Sequence, residues 1–524
     1  MKLINKIAGL ILLAFAIGGC GKNYLSRPSN SQISSNNFYK STSDLRLATA
    51  SLYGGANWWQ WHTYAFIPIG DALSGNTYVG YYGDFDELFT RTITSQNSIV
   101  SYGWTGLYNV IAQCNLTING INQYAADSIP AASINAALAE TRFIRGVAYY
   151  YLALDWGAVP IIADNTKLIQ QPLLNRNIVS DVYKFVTTDL TYAAQNLPVS
   201  DVAGRVNTWS AQGMLGKVYL TLAGLGQNGT RSQPLLDSAI KYAGNVCQNS
   251  GISLYPSYYD LFRAQYNNVP EDLFALQWAA GVTWGNGNQL QQYYAPSGNL
   301  VPAGQGGWNP LQPTYDLYQS YTWKDTVRRK ATMMLTGDYY PELEAASGGY
   351  TAGGTGLKKH VIGTAQDNNS PAMTAQSSIE DDAMLRLSDV YLVYAEAILG
   401  NNATTTDAVA LNYFNMVRQR AGVDPAPMLT IDTIMNERRI ELAFEGQYWD
   451  DIVRLSYYDP AKALYILNNQ NRDVFTYSNG VATLPTSPTG GTIVPATIYS
   501  FALPIPAADL ASDPNLANPP VAYY

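Results

Sequence analysis

Along most of this chain, hydrophobic residues recur at the three- and four-residue spacing of helices with one buried face, and the spacing stops and restarts in order. A first run through Leu45, Ala48, Leu52 and Tyr53 closes at Gly54-Gly55. Trp104, Tyr108, Ile111 and Asn115 open a second, and Phe143, Val147, Tyr150, Tyr151 and Leu154 a third, which Gly157 and Pro160 end. Further helices are predicted over 180–197, with Ser180 as N-cap, over 209–223, where Gly213 and Gly216 permit close helix approach, and over 236–246. From 249 to 382 the texture changes to Gly, Asn, Gln, Pro and aromatics, with one short strand predicted at 274–278. Helical spacing returns over 384–399 and 407–421, the latter stopped by Gly422.

The last strong helical stretch spans 436–454. Ile440, Ala443 and Phe444, continued by Tyr448 and Ile452, form its apolar face, while Glu437, Arg438, Glu441, Asp450, Asp451 and Arg454 carry charges of both signs. Arg438 stands three residues before Glu441 and Asp450 four before Arg454, so these charges are expected to pair on the helix or with neighbours. Gly446 costs about 1 kcal/mol against Ala inside a helix, which predicts a turn or a close backbone approach there. One segment breaks the pattern: WWQWHTYAF at 58–66, with the Gly- and Tyr-rich run to Glu87, has no helical stripe and reads as a loop surface.

Lys2 and Lys6 precede an apolar run from Ile7 to Ile17 and then Gly18-Gly19-Cys20. This is the pattern of a secretory signal, too short to span a bilayer, with Cys20 placed like the acylated first residue of a bacterial lipoprotein. More than one acyl chain gives durable membrane anchoring. The 524 residues are 47% hydrophobic and 13% charged, with net charge −8, enough length for a large core. Basic residues (31) are fewer than acidic ones (39) and form no cluster, which excludes a nucleic-acid partner. The telling excess is 40 Tyr and 11 Trp against 13 Phe, because Tyr and Trp offer a flat apolar face with a polar edge that suits sugar rings. Cys114 and Cys247 fall in helical patterns and read as buried free thiols, with a disulfide as the alternative.

ERRIELAFEGQYWDDIVR, within 436–454, resembles the C-terminal signature of the SusD/RagB family, outer-membrane lipoproteins of the Bacteroidetes that bind nutrients for a partner transporter. AETRFIRGVAYYYLALDWGAVP, LRLSDVYLVYAEA, LNYFNMVRQRAG and the closing FALPIPAADL with Asn515 resemble further blocks of that family, in its order. The resemblance implies a mainly α fold, a tetratricopeptide-like helical-repeat scaffold with long irregular loop excursions and minor β. It divides the chain into a signal peptide (1–19), a lipidated leader (20–35), an N-terminal helical part (36–248), a loop-rich binding excursion (249–382) and a C-terminal helical part (383–524), the folded parts making one compact unit. It also implies the outer membrane as location, the outside as the face, and a SusC-like TonB-dependent transporter as partner.

Catalytic chemistry finds little support. GLGQNG at 224–229 matches GxGxxG but follows a helix where a dinucleotide site needs a strand. The two histidines, His62 and His360, are far apart in sequence and lack HExxH or Cys-His spacing, so no zinc site is read from them. Asp84, Asp86 and Glu87 are weak calcium candidates, without an EF-hand loop around them, and read as a solvated loop. Glu437, Glu441 and Glu445 share a stretch with arginines that keep carboxylates ionised, whereas a glycosidase needs one raised-pKa acid. No catalytic residue and no cofactor is therefore assigned, and a binder is expected. Its candidate platforms are Trp58, Trp59, Trp61, Tyr78, Tyr81 and Tyr82 in the first aromatic stretch, and Trp284, Tyr293, Tyr294 and Trp308 in the second. Asp71, Asn76, Asn286 and Gln289 are candidate partners for hydroxyls. Trp284 and Trp308, flanked by glycines, are expected to be exposed. The Trp-rich loops favour an oligosaccharide as ligand; a peptide, as in the RagB branch, is the alternative.

Overall fold

The computed structural model describes residues 38–80, 82–281, 287–374 and 376–524. Cys20 with its leader, Tyr81, Trp284 and Asn286 lie outside the described residues. Among the described residues seven helices of eight residues or more carry the N-terminal half: α1 (Thr42–Ala50), α2 (Gly83–Thr90), α3 (Ser98–Tyr124), α4 (Ala131–Trp156), α5 (Val179–Asn196), α6 (Thr208–Gly224) and α7 (Gln233–Asn249). From α3 onward each helix packs on the next, so every apolar stripe is covered by its sequence neighbour, the arrangement of tetratricopeptide-like stacks. Close approach depends on small residues, and a Cβ on Gly216 would stand 2.9 Å from that of Ala243 on α7. Helix α5 starts one residue earlier than the spacing predicts, with Ile178 rather than Ser180 at its N-cap and no side-chain cap; Asp181 in its first turn supplies the favourable charge instead.

The chain leaves the stack after α7 and rejoins it at α8 (Leu387–Leu399), which packs against α7 and is followed by α9 (Ala408–Arg420). The excursion between them is tied at its base by an antiparallel pair, β1 (Asp272–Leu276) with β2 (Asp382–Arg386), in the register Asp272 to Arg386 and Leu276 to Asp382. It has a small core of its own, built from Leu300, Val301, Met334, Tyr340, Leu343 and Val361 among others. Among the described residues Cys114 and Cys247 are free thiols, Cys114 fully buried.

The charged signature folds into α10 (Ile431–Glu441) and α11 (Tyr448–Ser456), with Gly446 in the turn between them. Its charges have no solvated side: Glu437, Arg438, Glu441, Asp450, Asp451 and Arg454 are all at most 4% exposed. The local pairs expected from spacing, Arg438 with Glu441 and Asp450 with Arg454, give way to partners from other elements. Arg438 donates to Asp451 (2.8 Å) and Asp389 (2.6 Å), and Glu437 accepts from Arg328 (2.6 Å) and Arg418 (2.5 Å). Glu441 is held by Arg386 (3.0 Å) and Arg420, and Glu445 by Arg386 (2.7 Å) and Lys359 (2.8 Å). Burial would raise the Glu441 carboxyl, but the guanidiniums of Arg420, Arg386 and Arg328 overcome it and hold it down at about 2. Removing one partner from such a buried network leaves an uncompensated charge, at a cost of about 3–5 kcal/mol. These residues weld the excursion (Arg328, Lys359, Arg386) to the stack; none of them is free for catalysis.

Candidate functional site

The stretch WWQWHTYAF is helical. Its turns run through Trp59–Trp61, His62–Phe66 and Pro68–Ala72, the last two widened to π-helical turns. Pro68 has no N–H to give the helical ladder, and the Pro68 carbonyl accepts from Leu73 five residues on (3.1 Å). The helix splits its aromatics between two faces. Trp58 and Trp61, 0% and 2% exposed, point inward: the Trp58 indole N–H donates to the Leu52 carbonyl (2.8 Å), and the Trp61 ring lies 5.0 Å from that of Tyr151. Trp59 and Tyr64 take the other face, their rings edge-on at 5.4 Å.

Around Tyr64 a row of aromatics assembles from three parts of the chain. Tyr102 on α3 stacks on it at 4.5 Å, Tyr293 of the short helix Leu290–Tyr294 meets it edge-on at 5.8 Å, and Trp308 stands edge-on to Tyr293 at 5.2 Å. The Tyr293 hydroxyl donates to that of Tyr64 (3.4 Å), and the Tyr82 hydroxyl shares a hydrogen bond with Ser98 (3.2 Å). Backbone bonds clamp the Trp308 loop to the short helix, Gly307 N–H to the Gln292 carbonyl (2.8 Å) and Asn309 N–H to that of Tyr293 (2.9 Å). Trp308 is 45% exposed, as its glycine neighbours lead one to expect, while Trp59, Tyr64, Tyr82, Tyr102 and Tyr293 are half-buried. Burial raises the phenols of Tyr64, Tyr82 and Tyr293, so they stay protonated and offer both donor and acceptor to a ligand hydroxyl. Rings held by other rings at their edges keep their faces in a fixed orientation, which is what stacking on a flat, hydroxylated ligand requires.

Several sequence candidates fall elsewhere. Trp58, Trp61 and Tyr294 are core residues, Tyr294 being 2% exposed; each fills space between helices and none reaches a ligand surface. Asp71 and Asn76 are fully buried: Asp71 accepts from the Phe444 and Gly446 N–H groups (both 3.0 Å), and Asn76 accepts from Arg439 (2.8 Å). Gln289, also buried, donates to the Gln376 carbonyl (3.2 Å), and Tyr78 packs on Phe89 (4.8 Å). Asp84, Asp86 and Glu87 do not form a solvated loop or converge on one point; they belong to α2, where Asp84 accepts from Ser98 N–H (3.2 Å) and Glu87 from the Asn97 amide (3.0 Å), bracing the start of α3. Tyr64 and Tyr102 are the members that sequence reasoning missed. Tyr102 carries a usable signal: Val100, Gly103, Trp104 and Leu107 are among the buried positions of α3, and Tyr102 sits off that stripe.

A groove of about 480 Å³ lies between Trp104, Tyr108, Pro160, Leu174 and Leu516. In it Trp104 leans on both Tyr108 (4.9 Å) and Trp156 (5.6 Å), so its ring serves packing more than presentation.

Comparison with known proteins places these features in context. Residues 270–523 match the model of the SusD family, and residues 35–220 match a second model described as starch-binding associating with outer membrane. A SusD-like protein of Bacteroides ovatus is 35% identical over 99% of this chain and 98% of its own. A SusD-like protein of Formosa agariphila, P2, is 24% identical over 80% of this chain and 84% of its own. Among solved structures, one with xylogluco-oligosaccharide is 35% identical, covers 92% of this chain and 99% of its own, and superposes with a TM-score of 0.85. A laminarin-binding SusD-like protein, 23% identical over 91% of this chain and 98% of its own with a TM-score of 0.69, shares the fold. With its signature charges welded into the helical stack and a full-length relative at 35% identity, this chain belongs to the SusD family.

Proposed function

We propose that this protein captures an oligosaccharide at the cell surface, stacks it on the aromatic row Trp59–Tyr64–Tyr102–Tyr293–Trp308, and passes it to a SusC-like TonB-dependent transporter without cleaving it. The observation that carries the reading is the row itself, five part-exposed rings drawn from three distant segments and fixed by three edge-on contacts and the stack of Tyr64 on Tyr102. A relative of 35% identity has been solved with xylogluco-oligosaccharide, which supports a glucan of that class as the first ligand to test. Trp284 and Asn286, which follow β1 in the sequence, belong to the same proposal on the strength of the sequence alone. No helix among the described residues is long and apolar enough to cross a membrane. Attachment is assigned to an acylated Cys20, with the protein facing outward.

The test is a binding panel of xylogluco-oligosaccharides, laminarin oligosaccharides and mixed peptides, titrated calorimetrically against the purified protein. Saturable binding of one glycan class with no shorter sugars released is the expected result. Binding confined to peptides, or release of shorter sugars lost on a carboxylate substitution, would overturn it.

A further inference from the structure

The only two histidines of the chain, separated by almost three hundred residues, converge on one carboxylate. His62 Nε2 lies 2.8 Å from Asp382 Oδ2, and His360 Nδ1 lies 3.1 Å from Asp382 Oδ1. Glu380 precedes Asp382 by two residues, the spacing that puts side chains on one face of extended backbone, and its Oε2 is 3.7 Å from the same His360 Nδ1. His360, Glu380 and Asp382 are 3%, 3% and 4% exposed, and they line a cavity of about 20 Å³, room for one small occupant.

The hydrogen bonds decide which atoms are available. His360 Nε2 lies 2.7 Å from the Phe444 carbonyl, and a carbonyl only accepts, so Nε2 carries the proton. In the neutral ring Nδ1 then presents a lone pair. Asp382 Oδ2 is taken by the Asn288 amide (2.5 Å) and faces His62, which leaves Oδ1 for the cavity. His360 Nδ1, Glu380 Oε2 and Asp382 Oδ1 have no hydrogen-bond partner despite full burial, and the three lie within 4.8 Å of one another. Three lone-pair donors facing each other in a buried place repel unless a cation stands between them. A proton on Nδ1 is one such cation and would pair with Asp382 at 3.1 Å, but it leaves Glu380 Oε2, 3.7 Å away, without a hydrogen bond. A tetrahedral ion with ligand bonds of about 2.0 Å sets its ligand atoms about 3.3 Å apart, and the two separations from His360 Nδ1, 3.1 and 3.7 Å, bracket that value.

We propose that His360 Nδ1, Glu380 and Asp382 form a structural site for a divalent transition metal of the zinc class. The two carboxylates balance the charge of the ion, and the Phe444 carbonyl fixes the imidazole tautomer, as outer partners of metal-bound histidines do. The site joins three elements: β2 through Asp382, the signature turn through Phe444, and the excursion through His360 and Asn288. Asp382 also faces His62, which lies on the helix that carries Trp59 and Tyr64, so the ion would brace the aromatic row from beneath.

The test uses the purified protein, stripped with a chelator and titrated with zinc chloride in a calorimeter, with metal content read by mass spectrometry. One zinc per chain is expected, raising the melting temperature by several degrees. Both His360→Gln and Glu380→Gln should lose it, while Asp84→Asn, in the acidic group of α2, should keep it. Because a change at a buried site can unfold the chain, cobalt(II) gives a reading that needs no variant: a four-coordinate site yields intense visible bands. No uptake, uptake that persists in folded His360→Gln and Glu380→Gln, or only the weak spectrum of six-coordinate cobalt would each overturn the proposal.

Discussion

Asp71 bonds to Gly446 across most of the sequence: its two carboxylate oxygens accept the N–H groups of Phe444 and Gly446, each at 3.0 Å, and one also accepts from the Asn76 amide at 2.9 Å. The contact pins the π-helical turn of the N-terminal part to the signature turn of the C-terminal part. Asp71→Ala leaves these buried donors without an acceptor, at about 1–3 kcal/mol for each. The melting temperature should fall steeply, Asp71→Asn should fall between, and ligand affinity per folded molecule should not change. A loss of affinity at full stability would return Asp71 to the role of a hydroxyl-binding residue.

Gly70 and Gly446 meet back to back at the same joint. A Cβ on Gly70 would lie 2.2 Å from the Gly446 Cα, and one on Gly446, whose φ is +68°, would lie 2.5 Å from Phe66 Cε2. Overpacking of this kind costs about 1–3 kcal/mol even where side chains can yield. Backbone cannot, so Gly70→Ala should be the more damaging change. Gly446→Ala combined with Phe66→Ala should cost less than the sum of the two single changes, while Gly70→Ala with Phe66→Ala should be additive. Denaturant unfolding of the three single and two double variants reads the coupling directly.

Asp450 on α11 carries a testable pH dependence. Burial, with Asp451 and Asp389 nearby, pushes its carboxyl up to about 8 against the pull of Lys217 and Arg438. A raised folded value means that its contribution to stability is fully present below the unfolded value of about 4 and is lost as the pH climbs through 8. Asp450→Asn, a neutral isostere, escapes that loss. Its melting temperature should match the parent's near pH 4 and exceed it by a widening margin up to pH 8. Equal melting curves at pH 8 would show that Asp450 is ionised at no cost.

Much of the helical stack was legible because its stripes are regular, from Phe143 to Leu154 on α4 and again on α8 and α9. The first aromatic stretch was not, for two physical reasons. Aromatics on both faces, Trp58 and Trp61 within and Trp59 and Tyr64 without, erase the apolar-polar contrast, and the wide turns around Pro68 shift the period. The signature charges pointed to an amphipathic helix because charge usually marks the solvated side. Their partners, Arg328, Lys359 and Arg386, come from the excursion, and no local spacing reveals a desolvated network closed over such distances. The convergence of His62 and His360 on Asp382 was hidden for the same reason. Trp308 was legible, since glycines beside an indole leave little to bury it.

Trp308 and Trp61 separate binding from folding. Trp308 is 45% exposed and touches Tyr293 edge-on, so Trp308→Ala removes little buried area, and the melting temperature should move by only a degree or two. If the row is the glycan platform, losing an aromatic anchor costs about 2 kcal/mol of binding, roughly thirtyfold in Kd. Trp61, 2% exposed between Trp58, Phe66 and Tyr151, behaves in the opposite way. Trp61→Ala should cost about 3–5 kcal/mol of stability and affect binding only as far as the Trp59–Tyr64 face is disturbed. Tyr64→Phe supplies the finer control, because it keeps the ring that stacks on Tyr102 and deletes the hydroxyl that accepts from Tyr293. A small loss there beside a large one in Trp308→Ala assigns the affinity to ring faces. Calorimetric titration of all three variants with the glycan selected by the panel, run beside thermal melts, makes the comparison, and a Trp308→Ala protein that binds as tightly as the parent removes the row from the site.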